Sequence, residues 1–425
     1  MKIAQITAGT GSFYCGNCIR DNGLVLALRR RGHDALLVPL YLPTVPDDLN
    51  AAEGVPLFYG GINVYLQNKI PLFRYTPRWM DRWFDHPYLL SLAAKQAGMT
   101  KASELGEMTL ATLLGESGPQ IKELKRLAQW LRDDCKPDLI CLSNLLLVGM
   151  ARALKQETGV PVVCALQGED GFIDHLPEPY RQQCWEVLRE RAQEIDLFIP
   201  VSHYYAGVIR ERLQLHADAL HVVHNGISLQ GYRPDRAEPE SPTLGYLARL
   251  CPEKGFHTFV DVFIQLKQSF PDLKMRAAGV MTGTDPAFVE TCRERMRQAG
   301  VEGDADIHPN VSREEKIRLL ESLSVFSVPA LYGESFGLYV IEALAAGVPV
   351  VQPRHAGFPE IIEATQGGVL YDGESPSALA EAIAPLLRDP AKARALGAAG
   401  RERVHNAYSD DHMAENIEAA LQTVL

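Results

Sequence analysis

Short apolar runs alternate with amphipathic segments along the whole chain, which predicts an α/β fold built on parallel sheets. The amphipathic segments repeat apolar residues at helical spacing, as Ile121, Leu124, Leu127 and Leu131 do. The apolar runs predict strands at Ile3–Thr7, Asp34–Val38, Leu139–Leu142, Val162–Leu166, Leu197–Val201, Thr243–Leu247, Met275–Ala278, Val325–Val328 and Val350–Gln352. Residues 43–115 are less regular, and we expect only short helices there.

The alternation is interrupted once, between Ser228 and Pro242, where the chain becomes polar and rich in proline and glycine. Such a segment is typical of a linker. A chain of 425 residues also exceeds what one hydrophobic core usually supports. We therefore predict two doubly wound domains that face each other across a cleft and bind ligands at the carboxyl ends of their strands.

Composition narrows the class of protein. The net charge of −11 argues against a nucleic-acid-binding protein. The eight cysteines follow no disulfide framework, which indicates a reducing compartment. The N-terminus begins a strand at once, without a signal sequence, and no apolar run reaches the length of a membrane span. We expect a cytoplasmic protein.

The most informative segment is 332–349, where a loop carrying Glu334 leads into a helix that begins near Gly337 and contains Glu342. A strand–loop–helix of this kind directs free N–H groups and partial positive charge at an anion beyond the strand. Carboxylates accept hydrogen bonds from hydroxyl groups. An anion site between two carboxylates fits a nucleotide sugar.

Segment 247–255 opens the first strand–helix junction of the second domain and carries Arg249 and Lys254. Fixed positive charge at the end of a strand suits a diphosphate. A solvated loop with a charged rim explains the same residues equally well when the segment is considered alone.

The first predicted strand leads into a loop with Gly9 and Gly11, which would allow a ligand to approach the backbone closely. Tyr14 stands where a dinucleotide-binding fingerprint needs glycine, so the segment does not support an oxidoreductase. Cys15 and Cys18 form a C-x-x-C without the second pair that a zinc site needs. A redox pair and plain packing both remain open.

Two further segments allow alternative interpretations. Residues 69–84 interleave basic and aromatic side chains, which suits weak peripheral contact with the inner face of a membrane or with an acceptor, although packing under a loop is commoner. The acidic residues Asp304 and Asp306 have the spacing of a metal-binding pair, but they lie in a turn. We expect no metal.

Taken together, these segments resemble the family-four retaining glycosyltransferases of GT-B fold. Segment 334–342 resembles the E-x7-E motif of that family, and segments 222–227, 247–255, 345–351 and 357–363 agree with its other motifs in order and spacing. The resemblance implies an N-terminal acceptor domain over residues 1–230 and a donor-binding domain over 231–408. It also implies that a helix over 409–425 crosses back to pack on the first domain.

The resemblance also implies roles for residues of the donor site. Arg249 and Lys254 would hold the diphosphate, Glu342 would bind the ribose, and Glu334 would contact hydroxyl groups of the sugar. Further donor contacts would come from the following residues: Gly9, Gly11, Ser335, Phe336, Gly337 and Leu338.

One position departs from the family. Gln167 follows strand Val162–Leu166 where the family usually places a sugar-contacting histidine, and glutamine cannot titrate. Glu169 and Asp170 stand nearby as additional candidates for contact with the sugar or the acceptor.

The function that this resemblance implies is a retaining, metal-independent transfer of a hexose from a nucleotide diphosphate sugar, without a cofactor. UDP is the commonest donor nucleotide. The acceptor would be a glycan, a lipid-linked sugar or a small molecule, as in polysaccharide biosynthesis. The alternatives are a nucleotide-sugar epimerase of the same fold, a non-catalytic nucleotide-sugar sensor, and a redox protein built on Cys15 and Cys18.

Overall fold

A computed structural model describes residues 1–9, 16–44, 49–70, 102–233, 236–283 and 285–425. The chain forms two compact units. One unit comprises Met1–His224 together with Met413–Leu425, and the other comprises Asn225–His412. Each unit has its own parallel sheet with helices packed against it.

The first unit contains a five-stranded parallel sheet with the order β2-β1-β3-β4-β5. Its strands are β1 (Lys2–Ala8), β2 (Asp34–Leu40), β3 (Leu139–Leu142), β4 (Val162–Leu166) and β5 (Leu197–Pro200). Its helices are α1 (Gly16–Arg30), α2 (Gly61–Lys69), α3 (Ala102–Leu113), α4 (Ile121–Trp130), α5 (Ala151–Thr158), α6 (Asp170–Asp174), α7 (Tyr180–Arg191) and α8 (His203–Leu213). The sheet order reverses direction between β1 and β3, as in doubly wound folds.

The second unit contains a six-stranded parallel sheet with the order β11-β10-β9-β6-β7-β8. Its strands are β6 (Thr243–Leu247), β7 (Lys274–Gly279), β8 (Ala305–Pro309), β9 (Val325–Phe326), β10 (Val350–Pro353) and β11 (Gly368–Tyr371). Its helices are α9 (Phe256–Lys267), α10 (Asp285–Gln298), α11 (Arg313–Glu321), α12 (Leu338–Ala345), α13 (Phe358–Thr365), α14 (Pro376–Arg388) and α15 (Pro390–Ala407). This is the strand order of a Rossmann fold, with the switch point between β6 and β9.

The last helix, α16 (Asp410–Leu421), begins in the second unit and packs into the core of the first. Its buried side chains Met413, Ile417 and Leu421 belong to the same apolar cluster as Ile3 and Leu24. Arg31 pairs with Glu418 of this helix at 2.8 Å. The expectation that the C-terminal helix returns to the N-terminal part of the chain is therefore confirmed.

All nine predicted strands are present, and the prediction of a doubly wound α/β fold is confirmed. The two edge strands of the second sheet, β8 and β11, were not among those nine. Strand β8 has the sequence A-D-I-H-P, which includes Asp306 and is largely exposed, and β11 is a run of only four residues, G-V-L-Y, that is partly buried. The irregular segment 43–115 contributes α2 and a longer helix than expected, α3. Most of segment 69–84 lies outside the described residues.

Candidate functional site

The switch point of the second sheet brings two loops side by side, one after β6 and one after β9. Adjacent strands whose connections run in opposite directions leave a crevice at their carboxyl ends. Leu331 N–H donates to the carbonyl of Glu253 at 3.0 Å, so the two loops are joined directly. Gly255 has a φ of +70°, and a Cβ there would come within 1.9 Å of the Pro329 carbonyl oxygen. The close approach of the loops therefore requires glycine at this position.

Lys254 and Glu334 meet in this crevice. Lys254 Nζ lies 2.5 Å from Glu334 Oε2 and also donates to the hydroxyl of Tyr332. The same oxygen accepts hydrogen bonds from Tyr339 at 2.8 Å and from Tyr332 at 3.2 Å. The ammonium also lies 4.8 Å from the ring centroid of Tyr332 and 5.4 Å from that of Tyr339. The resulting cluster contains one cation, one carboxylate and two phenols.

The surroundings fix the charge of each member of this cluster. Burial alone would raise the pKa of Glu334, but the Lys254 ammonium and the hydrogen bonds from Lys254, Tyr339 and Tyr332 hold it below its usual value. Burial would lower the pKa of Lys254, yet Glu334 and Tyr332 hold it above its usual value. Burial raises the pKa of both tyrosines. At neutral pH the site is an ion pair held by two neutral hydroxyl donors.

Arg249, at the end of β6, forms a two-pronged pair with Asp285 at the start of α10. The distances are 2.9 Å from Nε to Oδ2 and 3.0 Å from Nη2 to Oδ1. Asp285 is buried and also accepts hydrogen bonds from the N–H and hydroxyl groups of Thr282. The Arg249 side chain remains 49% exposed. Asp285 therefore orients the guanidinium of a side chain that remains about half exposed.

Helix α12 begins after Gly337, whose φ of +91° is the left-handed conformation that favours glycine. The first N–H groups of an α-helix have no acceptors within the helix. In α12 the Val340 N–H donates to the Gly337 carbonyl at 2.9 Å. Glu342, the fifth residue of α12, lies about 6 Å along the axis. Its Oε1 pairs at 2.7 Å with Lys316, a buried lysine of α11.

The neighbouring positions of the predicted donor loop are mostly buried. Phe336 is buried, and its ring centroid lies 6.4 Å from that of Tyr408. Ser335 is also buried, and a Cβ on Gly357 would come within 2.6 Å of the Ser335 carbonyl oxygen. Leu338 is partly buried at the start of α12. Any contact of these residues with a donor would therefore come chiefly from their main chain.

In the first unit, Glu169 is buried beneath the loop that follows β4. Both of its carboxylate oxygens accept hydrogen bonds from main-chain N–H groups of Leu145, Gln167 and Gly168, at 3.0 to 3.2 Å. The hydroxyl of Tyr205 adds a further bond at 3.0 Å. Burial raises the pKa of Glu169 above its usual value despite these bonds. The carboxylate thus organises the loop that carries Gln167.

Gln167 and Asp170 flank this carboxylate and are partly buried. Asp170 N–H donates to the hydroxyl of Tyr205 at 3.3 Å, and burial raises the pKa of the Asp170 side chain. These two residues remain predicted ligand contacts, and their loop is fixed from beneath by Glu169.

Packing of the backbone explains why residue 9 is glycine. A Cβ at this position would lie 1.6 Å from the Leu42 carbonyl oxygen, so the loop after β1 can pass close to residues 40–42 only with glycine. Gly11 and Cys15 lie outside the described residues. Cys18 is buried, and its Sγ lies 3.1 Å from the Ala8 carbonyl oxygen.

The structure pairs Lys254 with Glu334 and places Arg249 and Glu342 on the same crevice-forming elements, and the ligand contacts of these four residues stay predictions. Four partners were missed: Tyr332, Tyr339, Asp285 and Lys316. The apolar pattern of α12 favoured treating Tyr339 as a core residue, and nothing in the sequence links Asp285 or Lys316 to their partners. Asp304 pairs with Lys267 and Lys274, and within the described ranges no three metal-ligating side chains cluster together.

Two family models match consecutive parts of the chain. Residues 109–230 match Glycosyltransferase Family 4, and residues 232–403 match Glycosyl transferases group 1. Sucrose-phosphate synthase from Thermosynechococcus elongatus superposes with a TM-score of 0.73 at 19% identity, covering 99% of this chain and 98% of that one. HepE of Anabaena, in complex with UDP and glucose, superposes with a TM-score of 0.71 at 16% identity over the full length of both chains. The chain therefore has the GT-B fold, and two of its segments match glycosyltransferase family models.

Curated relatives show the same class. A GDP-mannose-dependent alpha-(1-6)-phosphatidylinositol monomannoside mannosyltransferase of Mycobacterium tuberculosis is 32% identical over 250 residues, which are 54% of this chain and 63% of that protein. A D-inositol 3-phosphate glycosyltransferase of Segniliparus rotundus is 26% identical over 58% of each chain. The matched part of the chain thus spans about three-fifths of the length of these relatives.

Proposed function

We propose that this protein transfers a hexose from a nucleoside diphosphate sugar to a hydroxyl group of an acceptor, with retention of configuration. The observation that carries the proposal is the Lys254–Glu334 ion pair at the switch point, close in sequence to the N-terminus of α12. A cation, helix amides and a carboxylate with an open oxygen provide what a diphosphate and an adjoining sugar require.

Each part of the donor has a partner in this arrangement. Lys254 has three N–H donors, of which one serves Glu334 and one serves Tyr332, so the third is directed to the diphosphate. Arg249, whose side chain is about half exposed, adds a second cation. Glu342, held by Lys316, accepts from the ribose hydroxyls. Glu334 accepts from hydroxyls of the hexose.

The proposed reaction is a same-face substitution. The bond from the anomeric carbon to the diphosphate oxygen breaks, and a bond to the acceptor oxygen forms on the same face. The proton of the acceptor hydroxyl passes to the departing diphosphate oxygen. Lys254, Arg249 and the first amides of α12 stabilise the negative charge that develops on the diphosphate, which is electrostatic catalysis by groups already in place.

The names of the relatives favour GDP-mannose as the donor over the UDP-sugar that commonness suggests. An inositol phosphate or a phosphatidylinositol mannoside is the first acceptor to screen, on the same basis. Among the described residues, no helix combines the length and the apolar character needed to cross a bilayer. Membrane contact through residues 69–84 and a cytoplasmic location remain predictions.

The direct test is thermal stabilisation by GDP, UDP and ADP on wild type, Glu342→Ala and the exposed control Glu363→Ala. A ligand at about 100 times its dissociation constant adds roughly 2.7 kcal/mol to the free energy of unfolding. We expect one nucleotide to stabilise wild type and Glu363→Ala but not Glu342→Ala. Absence of stabilisation by all three would contradict the donor site, and turnover of the donor without any acceptor would indicate an epimerase instead.

A further inference from the structure

The hydrogen bonds to the Glu334 side chain all fall on one oxygen. Lys254, Tyr332 and Tyr339 donate to Oε2, and no described residue donates to Oε1. The side chain is 11% exposed. A carboxylate oxygen has two lone-pair positions that need donors when water is excluded. Because the described donors engage Oε2, Oε1 is the oxygen left to accept hydrogen bonds from a ligand.

Tyr339 is buried, whereas the other two donors, Lys254 and Tyr332, are partly exposed. Tyr339 lies in the first turn of α12, with its ring centroid 6.3 Å from that of Phe326 and 6.4 Å from that of Phe358. Burial also keeps its hydroxyl protonated, because the pKa of Tyr339 lies well above its ordinary value. Its hydroxyl thus donates a hydrogen bond to Glu334 from a fixed position.

We propose that Tyr339 is a positioning residue that holds Oε2 of Glu334, so that Oε1 alone accepts hydrogen bonds from the hydroxyl groups of the transferred hexose. The inference rests on the proposed function, and it assigns hexose selectivity to this pair. If the carboxylate could rotate, either oxygen could meet hydroxyls of different orientation. With Oε2 fixed, Oε1 occupies one place and distinguishes a hexose from its epimer.

Tyr332 provides an informative contrast. Its hydroxyl lies farther from Glu334, at 3.2 Å, and it also contacts the Lys254 ammonium. Removing the Tyr332 hydroxyl should therefore disturb the diphosphate contact as well as the sugar contact. Removing the Tyr339 hydroxyl should disturb the sugar contact alone.

The test compares wild type, Tyr339→Phe, Tyr332→Phe and Tyr371→Phe, the last being a buried tyrosine of strand β11. Dissociation constants are measured for GDP, GDP-mannose and GDP-glucose, or for UDP, UDP-glucose and UDP-galactose if UDP is the nucleotide that binds. We expect Tyr339→Phe to bind the free nucleotide within twofold of wild type, and to bind the preferred nucleotide sugar about tenfold more weakly. Its preference between the two epimers should fall by a similar factor, whereas Tyr371→Phe should behave like wild type.

Equal weakening of free nucleotide and nucleotide sugar by Tyr339→Phe would show a merely structural role and overturn the inference. An unchanged epimer preference would overturn it as well. If wild type binds neither nucleotide nor nucleotide sugar, the proposed function fails and the inference fails with it. Binding by wild type with no effect of Tyr339→Phe would refute the inference alone.

Discussion

Glu169 and Glu334 are buried carboxylates that each follow a strand of a parallel sheet, one in each unit of the chain. Glu169 is surrounded by main-chain N–H groups and one tyrosine, which engage both of its oxygens. Glu334 is bound by a lysine and two tyrosines through a single oxygen. The two sites therefore differ in what remains available to a ligand.

The pKa values of the two carboxyl groups are shifted in opposite directions. Burial raises the pKa of Glu169, and the neutral donors around it do not fully compensate. The nearby ammonium of Lys254 reverses the effect of burial at Glu334 and lowers its pKa. The Lys254 ammonium thus outweighs burial at Glu334, whereas the main-chain donors around Glu169 offset burial only in part and fix the carboxylate beneath its loop.

The largest expected effect comes from removing the cation. Lys254→Ala should lower the transfer rate by about 10²–10³-fold, because it removes a charge that stabilises the leaving diphosphate. The transfer rates of wild type and variant are measured by steady-state kinetics with GDP-mannose and an acceptor. Lys392→Ala, at an exposed lysine of helix α15, is the matched control and should retain wild-type turnover.

Near-native turnover in Lys254→Ala would contradict the role assigned to this lysine. Loss of the ion pair also leaves Glu334 buried without a cation, which costs stability. Circular dichroism and the thermal transition of the variant must therefore be recorded beside its kinetics.

A smaller effect is expected in the pH dependence of stability, and its sign differs between the two carboxylates. The folded-state pKa of Glu334 lies below the ordinary 4.5, so its contribution is present above that pH and is lost as the pH falls through the folded value. The folded-state pKa of Glu169 lies above 4.5, so stability declines as the pH rises from 4.5 through the folded value. A tenfold difference in proton affinity between the folded and unfolded states corresponds to about 1.4 kcal/mol of stability.

Urea unfolding between pH 3.5 and 7 measures this difference when wild type is compared with Glu334→Gln and with Glu169→Gln. The free energy of unfolding of wild type, relative to that of Glu334→Gln, should fall as the pH is lowered. The free energy of unfolding of wild type, relative to that of Glu169→Gln, should fall as the pH is raised. The same sign for both comparisons would show that the cation does not distinguish the two sites.

The sequence predicts the strands that position the site better than it predicts the hydrogen bonds between the side chains of the site. Strands such as β4 and β6 are continuous apolar runs, so the pattern predicts their bounds residue for residue. Glu334 and Lys254 could be foreseen because the parallel sheet brings the ends of β6 and β9 together.

The partners of these residues could not be foreseen in the same way. Tyr339 stands in an apolar helix, where periodicity predicts burial but not the direction of its hydroxyl. Asp285 and Lys316 are distant in sequence from Arg249 and Glu342, and only the folded chain pairs them. The main-chain hydrogen bonds of Glu169 likewise leave no trace in the sequence, and its predicted contact with the sugar or acceptor stays a prediction.

The most direct test of the contrast between the two carboxylates is calorimetric binding of GDP and GDP-mannose to wild type, Glu334→Gln and Glu169→Gln. If wild type binds GDP-mannose more tightly than GDP, the account predicts that Glu334→Gln loses this difference. It also predicts that Glu169→Gln keeps it. Retention of the full difference by Glu334→Gln, or an equal loss in Glu169→Gln, would contradict the claim that Glu334 is the carboxylate that recognises the sugar.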